Sequence, residues 1–268
     1  RPDGYHELET LFQFLDYGDD ITIAVNHSAV IELRSPIEGV EYQDNLIVKA
    51  ALLLQQHSKT TKGAELSVNK ILPMGGGLGG GSSNAATVLL ALNILWELNL
   101  PLATLANLGL SLGADVPIFI HGYAALARGI GEELTPVFPN EYWYLVAKPQ
   151  VHISTAAIFS DPELTRNSPK LTNNNANIEQ CHNDCETLVI KRYPEVAKLL
   201  TWLIEYAPSR MTGTGACIFA RFSTKKEALH IQAKLPQGVE SFVAKGVNQS
   251  ILHAQLANLT TTLSSKIN

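Results

Sequence analysis

Six glycines in seven positions, Gly75-Gly76-Gly77-Leu78-Gly79-Gly80-Gly81, constrain this chain more than any other feature. Backbone so free of side chains can turn successive N–H groups inward as a nest, and such concavities bind anions. Pro73 and Met74 precede the run, and Ser82-Ser83-Asn84 lead from it into Ala85-Ala86-Thr87-Val88-Leu89-Leu90-Ala91-Leu92. That apolar stretch reads as a helix with Ser82 or Ser83 at its N-cap, whose dipole and unpaired first-turn donors would face the loop. A flexible linker is the weaker reading, because linkers seldom join an apolar strand to an apolar helix.

Two familiar phosphate loops do not fit. The GxxxxGK[ST] pattern needs a lysine at the helix start, and here the glycines run directly into serine. GxGxxG is formally present as Gly75, Gly77 and Gly80, but any oligoglycine matches it. Its context is also missing: Glu65 to Lys70 alternates like a half-exposed strand, Pro73 interrupts the approach, and no acid follows on a second strand about 20 residues later.

With 268 residues, 46% of them hydrophobic and 17% charged, the chain can bury a substantial core in one large or two modest domains. A net charge of -5, with 20 scattered Lys and Arg, argues against a nucleic-acid surface. No apolar stretch approaches the ~18 residues of a membrane span and no signal peptide is visible, so the expectation is a cytoplasmic protein without membrane partners. Three cysteines, an odd number, fit a reducing compartment better than a disulfide framework. Cys181-His182-Asn183-Asp184-Cys185 carries metal-ligand types, but no second Cys/His pair completes a zinc site.

Periodicity predicts paired strands over 20–25 and 30–34, a helix over 44–57 capped by Asp44, a strand over 65–70, and helices over 83–97 and 101–112. An apolar segment at 116–120 precedes strands near 123–128 and 142–147. The polar stretch 165–183 reads as a surface loop, followed by helices near 184–192 and 194–206, a strand at 216–222, a helix at 224–234 and a strand at 240–245. The fold class is α+β in two halves, 1–140 and 141–268.

Asp115 stands out in Leu112-Gly113-Ala114-Asp115-Val116-Pro117-Ile118, an acid among small and apolar residues. Two readings are open on the residues alone. An enclosed carboxylate can orient a hydroxyl or accept its proton, and burial would raise its pKa; a turn aspartate would instead bond its own backbone. Met211-Thr212-Gly213-Thr214-Gly215-Ala216-Cys217 is likewise either a tight turn into a strand or a place where backbone approaches a ligand or the first loop. Cys217 has no suggested catalytic partner and reads as a packed side chain.

Taken in order, Pro73 to Ser83, Gly113-Ala114-Asp115-Val116-Pro117 and Gly213-Thr214-Gly215-Ala216 resemble the three motifs of the GHMP kinase superfamily. Asp3-Gly4-Tyr5-His6-Glu7-Leu8, Asp44-Asn45-Leu46-Ile47 and Asn183-Asp184-Cys185-Glu186 narrow the resemblance to the 4-diphosphocytidyl-2-C-methyl-D-erythritol kinase family, over essentially the whole chain. The resemblance implies a two-domain GHMP kinase fold with its active site in the cleft between the halves. It also implies an ATP-dependent, Mg2+-assisted transfer of phosphate to the 2-hydroxyl of a cytidine-diphosphate-linked methylerythritol, in non-mevalonate isoprenoid synthesis. On that basis Asp115 is the catalytic acid-base group. Pro73, Met74, Gly75, Gly76, Gly77, Leu78, Gly79, Gly80, Gly81, Ser82 and Ser83 hold the ATP phosphates, and Asn45, Leu46, Lys70 and Met74 line the adenosine side. Tyr5 and His6 contact the cytosine with Phe159 on its other face, and Thr155, Gly213, Thr214 and Gly215 complete the substrate side. A homoserine- or mevalonate-type kinase and a non-catalytic ligand sensor are the alternatives. The family also opens with a strand resembling Pro-Ala-Lys-Leu-Asn whose lysine holds the transferring phosphoryl group; the expectation is that this segment lies upstream of Arg1, leaving Asp115 as the member of the pair numbered here.

Overall fold

The computed structural model describes residues 6–170 and 181–267. In chain order the first half holds β1 (Thr10–Phe12), β2 (Phe14–Leu15), β3 (Asp20–Asn26), β4 (Ile31–Leu33), α1 (Leu46–Ser58), β5 (Gly63–Asn69), α2 (Gly80–Leu95), α3 (Leu102–Leu112), α4 (Val116–His121), β6 (Ala125–Arg128) and β7 (Glu133–Pro136). The second holds β8 (Trp143–Lys148), α5 (Thr155–Ser160), α6 (Asp184–Arg192), α7 (Pro194–Ile204), β9 (Ser209–Met211), β10 (Ile218–Phe222), α8 (Lys225–Gln232), β11 (Glu240–Val247) and α9 (Ile251–Ile267). The fold class expected from the sequence, α+β with a GHMP-type arrangement of two halves, is the one observed.

Three sheets organise the described residues, in the orders β3-β5-β4, β1-β6-β7 and β2-β11-β8-β10-β9. One core forms where α1 and α2 cover β5: Ile47, Val48, Ala51 and Leu54 of α1 meet Ala85, Val88, Leu89 and Leu92 of α2, all nearly without exposure. Nearly every residue of α2 from Asn84 to Leu92 is buried, because α1 packs along one side and α3 and α4 along others. Its all-round apolar sequence is what such a central helix requires. A second core lies between the five-stranded sheet and α6, α7 and α8. The halves are joined, among other contacts, where β2 pairs with β11 through Gly246 and Val247 and where Leu252 and Leu256 of α9 pack against the first core.

The local expectations are corrected where distant partners decide. Strands at 20–26 and 31–33 exist but do not pair with each other; β3 lies antiparallel and β4 parallel on opposite edges of β5. The helix expected from Asp44 begins at Leu46, capped by Asn45, whose Oδ1 accepts from the Ile47 N–H at 3.1 Å. The 116–120 segment is the helix α4, with Pro117 in its first turn. Short β1, β2, β7, β9 and α5 carry too little periodic signal to be anticipated; the terminal α9 is not among the expected elements, although Leu252, Leu256, Leu259 and Leu263 recur at helical spacing. Most of the expected 165–183 loop, residues 171–180, lies outside the described residues.

Candidate active site

Two glycine loops interlock at the junction of the halves. In the first, Gly75, Gly77 and Gly79 take φ of 64°, 72° and 68°, a left-handed region that side chains resist. Gly79 is itself the N-cap of α2, so the helix starts at Gly80 and not after Ser82 or Ser83 as the serines suggested. The reason is that a left-handed glycine closes the turn without a side chain; the Ser83 N–H already bonds the Gly79 carbonyl at 2.8 Å. No side chain caps α2. Its first-turn N–H groups therefore start in the cleft with no side-chain cap competing for them.

The second loop, between β9 and β10, lies directly on the first. Thr212 Oγ1 donates to the Gly77 carbonyl at 3.0 Å, and the Cys217 N–H donates to the Gly76 carbonyl at 3.1 Å. A Cβ on Gly77 would run into the Thr212 carbonyl, and one on Gly76 would sit 2.5 Å from Cys217 Sγ. Burial pushes the Cys217 thiol up to about 12, so it is an uncharged packing group beneath the loop. Asn183 fixes this second loop from behind. Its Oδ1 caps α6 at Cys185, while its Nδ2 donates to the carbonyls of Met211 (3.0 Å) and Gly213 (2.8 Å). Glu186 accepts from the Met211 N–H at 2.7 Å. Buried Thr214 meets Thr155, at the start of α5, hydroxyl to hydroxyl at 2.9 Å.

Asp115 precedes α4 without capping it by its side chain. Among the described residues its carboxylate has no hydrogen-bond partner, and it lines the same cleft as the glycine loop. Desolvation by burial raises its pKa above the usual aspartate value. Gly113, two residues earlier, brings this turn against Ser82 of α2, whose Oγ would lie 3.8 Å from a Cβ placed there.

The cleft is large, about 2300 Å³, and reaches from Asn45 and Met74 past the glycines and Asp115 to His6 and Phe159. Asn45 is 3% exposed; its Oδ1 is used in capping α1, and its Nδ2 has no partner among the described residues. Leu46 packs on the first turn of α2, 3.1 Å from a Cβ built at Gly81. Met74 is half exposed at the rim, and Pro73 is buried. Lys70 is paired with Asp19. At the far end His6 stacks directly on Phe159, ring centroids 4.6 Å apart and planes 25° from parallel. Tyr5 lies outside the described residues.

The residue that the sequence did not reveal is Asp19. It sits in an ordinary-looking turn, and its partners lie 51 to 65 positions away. Among the described residues no group of three or more His, Cys, Asp or Glu is arranged to hold a metal, and no helix is long and apolar enough to cross a membrane.

Comparison with known proteins agrees with this geometry. Residues 45–123 match the GHMP kinases N terminal domain and residues 162–240 the GHMP kinases C terminal domain. The 4-diphosphocytidyl-2-C-methyl-D-erythritol kinase of Colwellia psychrerythraea is 59% identical over 265 residues, covering 97% of this chain and 88% of that protein. A crystal structure of 4-(cytidine 5'-diphospho)-2C-methyl-D-erythritol kinase superposes with a TM-score of 0.78 at 28% identity, covering 92% of each chain. The homoserine kinase of Cytophaga hutchinsonii, at TM-score 0.64 and 16% identity over 88% of each chain, shares the fold alone. The chain belongs to the GHMP kinases and, among them, to the 4-diphosphocytidyl-2-C-methyl-D-erythritol kinase family.

Proposed function

We propose that the protein transfers the γ-phosphoryl group of ATP to the 2-hydroxyl of 4-diphosphocytidyl-2-C-methyl-D-erythritol, with Asp115 acting on that hydroxyl. The observation that carries this reading is the state of Asp115: a desolvated carboxylate with no hydrogen-bond partner among the described residues, in the same cleft as a loop of backbone donors. Hydrogen bonds from its own turn would lower the basicity of this carboxylate and occupy its oxygens, whereas this one is available to a hydroxyl placed between it and the phosphates.

The division of roles follows from the cleft. The N–H groups of Gly75 to Gly81 and the first turn of α2, with the Ser82 and Ser83 hydroxyls, hold the triphosphate by charge-directed hydrogen bonds. Catalysis by such a site is mostly positioning and electrostatics; no covalent enzyme intermediate is required. The hydroxyl oxygens of Ser82 and Ser83 are hard donors of the kind that would hold a Mg2+ ion accompanying ATP, which would supply charge neutralisation at the phosphates. The free Asn45 Nδ2 supplies a directed donor for the adenine edge, beside Leu46, Met74 and the Lys70 stem. At the other end the cytosine takes the place of His6 against the Phe159 face, freeing the imidazole, together with Tyr5, for the edge of the base. Thr155 and the Gly213-Thr214-Gly215 backbone border the acceptor.

The reading is tested by ADP release from the protein with cytidine-linked methylerythritol, homoserine and mevalonate as acceptors. Turnover with the cytidine substrate alone is expected. Equal or better turnover with either of the others contradicts it, and nucleotide binding without transfer to any acceptor would favour a ligand sensor.

A further inference from the structure

We propose that Asp19 is a positioning residue that holds the two feet of the phosphate loop at one point; the proposal rests on the kinase reading above. The Asp19 side chain has no solvent exposure. Its Oδ1 accepts from the N–H groups of Ile71 and Leu72, both at 2.8 Å, and its Oδ2 accepts from Asn84 Nδ2 at 2.8 Å and from Lys70 Nζ. Ile71 and Leu72 are the last residues before Pro73, where the loop begins, and Asn84 lies in α2 just after it ends. One carboxylate therefore joins the strand end and the helix start that bracket residues 73–83.

A charged side chain is needed here for a stereochemical reason. All four partners donate, and only an ionised carboxylate offers acceptors on both oxygens. Burial works to raise the pKa of Asp19, but the Lys70 ammonium, the Leu72 N–H, the Asn84 amide and the Ile71 N–H outweigh it and keep the group ionised. The neighbouring Asp20 shows the contrast: it is exposed and accepts from Asn69 Nδ2 at 3.3 Å. Asp19 also binds the charge of Lys70, so that ammonium serves the protein's own carboxylate before any phosphate. The same turn is anchored on the other half, since Asp16 Oδ1 accepts from the Lys245 N–H at 2.7 Å. The loop's feet are thus fixed relative to β11 as well as to each other.

Two opposite results can be imagined for Asp19→Asn. Freeing Lys70 adds a positive charge near the phosphates, which would tighten nucleotide binding. Against this, the new NH2 must face either two backbone donors or the Lys70–Asn84 pair, which forces the feet apart. Loss of hydrogen bonds to a buried charged group is the larger effect, so binding weakens.

The experiment measures ADP affinity by calorimetry and both substrate KM values for wild type, Asp19→Asn and Asn84→Leu, with Glu65→Gln at the exposed Arg34–Glu65 pair as control. Asp19→Asn is expected to weaken ADP binding by about 10- to 100-fold and raise the ATP KM in step, while the acceptor KM stays within about twofold. Asn84→Leu, which removes only the α2 attachment, should move the same constants in the same direction by a smaller factor and serves if Asp19→Asn does not fold. Unchanged ADP affinity in these variants, or equal losses for both substrates, would overturn the assignment. Wild-type protein unable to bind ADP would instead remove the kinase reading on which it rests, and the assignment with it.

Discussion

Thr212 Oγ1 donates to the carbonyl of Gly77 across 135 positions of sequence, so the second glycine loop is bolted to the first at the point where phosphates are expected to enter. A phosphate loop made of glycine is inherently floppy, and each such residue loses more freedom on ordering than any other. The contacts of Thr212 and Cys217, and of Asn183 behind them, offset that entropy by making the loop's shape a property of two chain segments. Thr212→Val keeps the volume and leaves the Gly77 carbonyl without this donor. The expected result is a several-fold rise in the ATP KM with a stability loss of about 1 kcal/mol, read by denaturant titration.

Gly77→Ala should be much more damaging. Its φ of 72° is unfavourable for alanine, and the added methyl meets the Thr212 carbonyl. The conformational penalty alone is roughly 1–2 kcal/mol. Melting several degrees lower and kcat/KM for ATP reduced by about 100-fold are expected, the second because the amides no longer converge. Wild-type kinetics in this variant would show that the loop does not hold phosphate.

Asn45 separates a folding role from a binding role within one side chain. Asp is as good an N-cap as Asn, so Asn45→Asp should retain α1, with a melting temperature lowered only by the charge placed at this buried position. It replaces the unpartnered Nδ2 by an acceptor, and the ATP KM should rise by about tenfold while the acceptor KM is unchanged. An unchanged ATP KM would confine Asn45 to capping.

The sequence exposed the parts of this site that are contiguous. Gly75 to Gly81 and Asp115 announce themselves because backbone freedom and a misplaced charge are local signals. Asp19 does not, since its meaning lies in donors from Lys70, Ile71, Leu72 and Asn84 that only folding brings together. The same limit explains β3 and β4, whose alternation showed strands but not that β5 would come between them. At Gly79 the error ran the other way: serine is the better cap by propensity, yet the left-handed glycine ended the loop first. Tyr5, His6 and Phe159 are proposed for the base from resemblance and not from physics, because an aromatic residue in a chain of this composition is as readily a core residue as a base-stacking one.

The raised pKa of Asp115 links activity and stability in opposite directions. Because the folded state holds this proton more tightly than the unfolded chain, the stabilising contribution is complete below the unfolded pKa, near 3.8, and is lost as pH rises through the folded value. Above it the ionised carboxylate is a burden on the fold. Asp115→Asn should therefore melt no lower than wild type at neutral pH. As a base the group must be ionised, so wild-type kcat/KM should fall as pH drops through that raised value. Melting curves and a pH–rate profile check the two signs.

Rapid-quench measurement of γ-phosphoryl transfer from labelled ATP to the cytidine-linked acceptor, in wild type and Asp115→Asn, tests the central claim most directly. The account predicts a rate constant reduced by about 100-fold or more with ATP affinity within about twofold of wild type. Transfer at the wild-type rate by Asp115→Asn would contradict it and return Asp115 to the turn in which it sits.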